Sequence, residues 1–127
     1  MIPPPTTFEV LQDRFVAGLD RRLTHLRGCL ETLRTSAGDT VTLATLDDMM
    51  RGFHSLAGIG GTYGFPVITD VARLGEVACQ SLDAPITAKD VVALGDVLDS
   101  LAMAASSAAA ASSRRQDQRT NAAPSGP

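Results

Sequence analysis

The sequence predicts an all-α fold, an antiparallel up-down four-helix bundle with a flexible C-terminal tail. Three observations predict it. Apolar residues recur at steps of three and four over long stretches, the period of a helix with one buried stripe. Prolines gather at the ends and at two interior points, Pro66 and Pro85, leaving long intervals in which helices can run. The chain is 44% hydrophobic but has only four Phe, one Tyr and no Trp, so its core must be aliphatic. Packed helices suit such a core better than a β-sandwich, which would want more β-branched and aromatic residues.

The first helix should begin near Thr6, because Thr6 and Glu9 have the spacing of a capping box. Phe8, Leu11, Phe15, Leu19, Leu23, Leu26, Leu30 and Leu33 then form one stripe along a rod of about 28 residues, roughly 42 Å. The segment TSAGDT breaks it, with Gly38 as terminator. A second helix is expected from about Thr42 to Tyr63. A third opens on Pro66, a favoured first-turn residue. It should turn Val67, Val71, Leu74, Ala78 and Leu82 inward. A fourth starts near Thr87, with Asp90 three positions on, and carries Val91, Leu94, Leu98, Leu101 and Ala105 inward. From Arg114 the sequence RRQDQRTNAAPSGP reads as a disordered tail, leaving residues 1–113 as the domain.

Composition narrows the function. At 127 residues the chain suggests one domain, expected as a monomer. Net charge is −3 and the basic residues are dispersed, so no nucleic-acid footprint is present. The N-terminus lacks a basic region followed by an apolar run, and no stretch of 18 apolar residues occurs, so neither a signal peptide nor a membrane span is expected. Cys29 and Cys79 are far apart and outside any CxxC pattern. They read as small buried hydrophobes in a reducing cytoplasm, without ligands enough for zinc. His25, among Arg21, Arg22 and Arg27, reads as a solvated residue, and Asp47 and Asp48 as a solvated face.

The segment RGFHSLAGIGGTYGF, residues 51–65, poses the functional question. Four of its glycines fall between positions 58 and 64, and each costs a helix interior up to ~1 kcal/mol relative to alanine. On a helical wheel, Leu46, Met49, Phe53, Leu56 and Gly60 cluster on one face, while His54 lies about 120° away. Its neighbours there are Asp47, Arg51, Gly58 and Gly61, so His54 should reach solvent. Gly58 and Gly61 leave bare backbone beside it for a partner's close approach, whereas Gly60 faces the core and lets a neighbouring helix pack tightly. Met50, about 40° from His54, adds an adaptable apolar contact. Tyr63 and Phe65 read as packing at a helix junction. A dinucleotide loop is excluded, because GxGxxG from Gly58 would need glycine at Tyr63 and a preceding strand. No nucleophile, second carboxylate or ligand set stands beside His54, so the imidazole is itself the candidate nucleophile, able to accept a phosphoryl group and pass it on.

These residues resemble the histidine-containing phosphotransfer (Hpt) domains of bacterial two-component phosphorelays. The likeness runs over FHSLAGIGGTYGFPVITDVARLGE, residues 53–76, through His54, Leu56, Gly58, Gly60–Gly61, Thr62–Tyr63–Gly64 and Leu74–Gly75–Glu76. It implies that His54 is the phosphoacceptor, exchanging phosphate with receiver-domain aspartates of response regulators or hybrid histidine kinases. It implies no ATP site, no kinase activity and no resident cofactor, the Mg²⁺ of the transfer belonging to the receiver. It implies docking and support around Met50, Arg51, Ala57, Gly58 and Gly61. Many members carry lysine where this chain has Ala57, others alanine, and Arg51 is the candidate substitute cation. The loss of that lysine keeps an alternative open, a receiver-binding module that carries no phosphate. A small helical phosphatase is a third reading.

Overall fold

The computed structural model describes residues 4–35 and 38–121, and among them no strand occurs. Five helices follow in order: α1 (Thr7–Ala17), α2 (Leu19–Thr35), α3 (Asp39–Thr62), α4 (Pro66–Gln80) and α5 (Ala88–Asn121). The regular structure of the described residues is all helical, as expected.

The expected first rod is divided at Gly18. The Gly18 N–H bonds back to the carbonyls of Arg14 and Phe15, and its own carbonyl accepts from Arg22 N–H, so the axis is interrupted for a single residue. Thr6 caps α1 by accepting from Glu9 N–H. The Glu9 carboxylate instead pairs with Arg119, so the capping box is half formed. Thr87 and Asp90 form the complete reciprocal pair at the start of α5.

Residue pairs fix how the helices meet. Leu26 lies against Gly52 and Arg22 Nη1 donates to Ser55 Oγ, joining α2 to α3. His54 pairs with Glu76 and Ala57 with Thr69, joining α3 to α4. Arg27 pairs with Asp99, joining α2 to α5. α4 also packs on α5. The core inside this ring contains Phe15, Leu23, Leu26, Met49, Phe53, Leu56, Ile68, Leu94, Leu98 and Leu101.

Helices α3 and α4 pack on each other more extensively than any other pair. Small residues are the reason. A Cβ on Gly60 would sit 3.0 Å from Thr69 Oγ1 and 3.1 Å from Ile68 Cγ2. A Cβ on Gly75 would sit 2.5 Å from the ring of Phe53, which is fully buried. Buried Thr69 donates its Oγ1 hydrogen to the Ala57 carbonyl at 2.7 Å, so the close approach also satisfies a polar group.

This packing corrects the expected inner stripe of α4. Val67 and Leu74 are exposed, and Val71, Ala78 and Leu82 only half-buried, while Ile68, Thr69, Ala72, Gly75 and Cys79 point inward. The helix is turned by about one residue, 100°, from the reading that large apolar residues define its buried side. Its small side chains go inside because α3 lies so near. Phe8 and Leu11 of the α1 stripe are exposed as well.

The C-terminal end is a second correction. The segment expected to be disordered from Arg114 is helical as far as Asn121, and residues 122–127 lie outside the described residues. Partners on α1 hold it there. Ser112 Oγ donates to Asp13 at 2.7 Å, Arg115 reaches both Gln12 and Asp13, and Arg119 pairs with Glu9. By length and composition, Ala88–Arg119 is apolar enough to cross a membrane. Within it Leu94, Leu98, Leu101, Ala105 and Ala108 are buried in the core, and 28% of its most apolar window is buried.

Candidate functional site

His54 sits in the third quarter of α3, beyond the inward residues Leu46, Met49 and Phe53 and before Leu56 and Gly60, all of them buried as the wheel predicts. Its side chain is 79% exposed. The backbone beneath it is fixed by the Phe53–Gly75 contact one residue earlier, so the ring projects from a rigid segment.

Glu76 completes the arrangement. Gly75 turns against Phe53, which brings the next residue of α4 level with His54. Glu76 Oε2 lies 2.7 Å from His54 Nδ1, and the carboxylate is only 22% exposed. A carboxylate can only accept, so Nδ1–H donates. In the neutral ring the lone pair then lies on Nε2. The contact selects the tautomer, holds the ring plane and leaves Nε2 as the nitrogen available for chemistry.

An open concavity of about 330 Å³ surrounds the ring, lined by Met50, Arg51, His54, Glu76 and Gln80. The structure thus brings the expected Met50 and Arg51 together with His54. Arg51 is exposed and pairs with Asp47 one turn earlier at 3.0 Å. Gly58 and Gly61 are both exposed one and two turns beyond His54. A Cβ on Gly58 would meet nothing within 4 Å, so no internal packing demands glycine there.

Ala57 is placed differently from its expected docking role. It is 6% exposed and belongs to the core beneath α4. The wheel angle of position 57, about 60° from the centre of the buried face, already pointed that way. Ala57 supports the site through its carbonyl, which accepts from Thr69.

The glycine run ends in a helix stop. Gly64 has φ of +81°, Phe65 N–H bonds to the Gly60 carbonyl at 2.8 Å, and Gly64 N–H to that of Gly61 at 3.3 Å. This is a Schellman motif. Gln12 of α1 donates to the Tyr63 carbonyl at 2.7 Å, and Tyr63 and Phe65 pack against Phe15 as tilted ring pairs at centroid separations of 5.7 and 5.8 Å. Both aromatics are junction packing, as expected.

Sequence reasoning missed two groupings. Glu76 stood inside the quoted motif without a role, because its proximity to His54 depends on how α4 is rotated. His25 is no merely solvated side chain: its Nε2 lies 3.1 Å from Asp48 of α3, and both lie beside buried Cys29. The spacing of His25 and Cys29, one helical turn, was the available signal. Comparison of the chain with family models, curated proteins and solved structures finds no match in any of the three.

Proposed function

We propose that the chain is a histidine phosphocarrier of the Hpt type, built as an antiparallel up-down four-helix bundle in which α1 and α2 together act as the first rod. In the α2–α3, α3–α4 and α1–α5 pairs, partner residue numbers fall on one helix as they rise on the other, which supports that architecture. The observation that carries the function is the exposed His54 ring with Nδ1 held at 2.7 Å by Glu76.

In the proposed reaction, Nε2 attacks the phosphorus of an aspartyl phosphate on a docked receiver. The P–O bond to the aspartate breaks, its carboxylate leaves, and an N–P bond forms. The Nδ1 proton stays hydrogen-bonded to Glu76, which stabilises the positive charge that the ring acquires during attack. Arg51 supplies a cation at the same concavity for the phosphoryl oxygens. The receiver contributes the Mg²⁺. Gly58 and Gly61 keep the flank of α3 low enough for the receiver to approach. Transfer to a second receiver reverses the step.

The test is transfer from a receiver domain carrying labelled aspartyl phosphate. Acid-labile label on the chain, absent in His54→Gln, is the expected result. Receiver binding without label would establish the module that only docks, the reading that the missing lysine at Ala57 favours. Release of free phosphate without a labelled carrier would establish the phosphatase.

A further inference from the structure

We propose that His25, Cys29 and Asp48 form a binding site for a borderline-soft divalent metal, zinc foremost, which clips α2 to α3. The three donor atoms come from two helices and converge. His25 Nε2 to Asp48 Oδ2 is 3.1 Å, Cys29 Sγ to Asp48 Oδ2 is 3.6 Å, and Cys29 Sγ to His25 Nε2 is 3.8 Å. Zinc binds sulfur at about 2.3 Å, imidazole nitrogen at about 2.0–2.1 Å and carboxylate oxygen at about 2.0–2.2 Å, tetrahedrally. Those lengths give tetrahedral edges of about 3.4 Å for N···O and about 3.6 Å for S···O and S···N. The donor triangle already has these edges to within a few tenths of an ångström.

The chemistry of the set agrees with its shape. Imidazole, thiolate and carboxylate are the mixed nitrogen, sulfur and oxygen donors that zinc accepts, whereas calcium and magnesium require oxygen alone. His25 and Cys29 are one turn apart on α2, which puts both on one face. Cys29 is buried, while His25 and Asp48 are 56% and 55% exposed, so the thiol forms the floor of the site and the other two its rim. A metal held from below on three corners presents its fourth position to water. Binding transfers the Cys29 thiol proton to solvent, and the thiolate and carboxylate charges then balance the dication.

Position gives the site a consequence. Asp48 lies six residues before His54 on α3, about 9 Å along the axis. The ion would therefore tie α3, the helix that carries His54, to α2 from the side opposite the α4 contacts. The inference stands independently of the phosphocarrier reading, and its readouts involve no phosphoryl chemistry.

The experiment titrates chelator-treated full-length protein with Co²⁺, followed by Zn²⁺ competition. A thiolate-to-cobalt charge-transfer band, tetrahedral d–d bands and half-saturation at micromolar metal or below are expected. Zn²⁺ should abolish the bands stoichiometrically. It should also raise the melting temperature by roughly 10 °C at a hundredfold excess over Kd. Cys29→Ser should remove the charge-transfer band. His25→Gln and Asp48→Asn, both on the exposed rim and spared from core disruption, should weaken Co²⁺ at least about tenfold. Cys79→Ser and His54→Gln should leave the titration unchanged. Absence of the band, half-saturation only at millimolar metal, or a band that survives Cys29→Ser and disappears in Cys79→Ser would each overturn the proposal.

Discussion

Glu76 Oε2 and His54 Nδ1 meet at 2.7 Å across the α3–α4 seam, one group mostly covered and the other mostly in water. That contact can be broken without disturbing the core, since neither side chain belongs to it. Glu76→Ala should slow phosphoryl transfer to His54 about tenfold through loss of ring orientation. Glu76→Gln, whose amide oxygen still accepts from Nδ1–H, should retain more of the rate. Stopped transfer reactions with labelled receiver, alongside unchanged circular dichroism, check both.

Gly58→Ala separates stability from function. The new Cβ meets nothing inside the molecule, and alanine is the better helix former. Stability should rise by ~0.5–1 kcal/mol. Receiver docking should weaken, because the methyl group stands one turn from His54 on the approach side. Urea denaturation and transfer kinetics on the same preparation should move in opposite directions.

Gly75→Ala should act in the other sense. Its Cβ would fall 2.5–2.6 Å from three atoms of the Phe53 ring, which is fully buried. A loss of about 2–3 kcal/mol is expected from overpacking. Pairing it with Phe53→Leu, which makes room, should recover part of the loss. A double-mutant cycle by urea denaturation measures the coupling.

Burial, helped by the nearby Cys29, pushes the Cys79 thiol up from 9.0 to about 11. The folded chain therefore keeps the thiol neutral at a pH where the unfolded chain ionises it. Its contribution to stability is fully present below pH 9 and is lost as pH rises from there through about 11. Denaturation midpoints measured across that window should fall, and Cys79→Ala should flatten the decline. Alkylation at pH 8 should be slow in the folded state and fast in urea.

The segment after Arg114 gives a further prediction. Arg115→Ala with Arg119→Ala removes the pairs with Asp13 and Glu9, leaving half-buried Glu9 without its arginine and Asp13 with only the Ser112 hydroxyl. A cost of ~1–3 kcal/mol and fraying of the last turns of α5 are expected. Hydrogen exchange on residues 112–121 reads the fraying directly.

Periodicity was enough to place α3 correctly, because Leu46, Met49, Phe53 and Leu56 are large, apolar and spaced by three or four. The same rule misjudged α4, where Val67 and Leu74 outweigh Ala72 and Gly75 on any hydrophobic scale. There the buried side is chosen by how closely α3 approaches, which is a property of two helices. The end of α5 escaped for a similar reason. Its Ala/Ser run and polar sequel look like a tail locally, and the acids that hold it lie about a hundred residues upstream. The exposure of His54 was readable from one helix. The Glu76 contact and the His25–Cys29–Asp48 grouping were not, since each joins residues from separate helices. Ala57 shows the hazard of motif register, for the wheel already turned it away from solvent.

The clasp between α1 and the far end of α5 brings the first and last described helices to one pole of the protein. A short linker could therefore join Pro4 to Asn121, and new ends could be opened in the 81–87 turn. Such a circularly permuted chain would keep every helix and the His54–Glu76 pair while reversing the order in which the first and last helices emerge during synthesis.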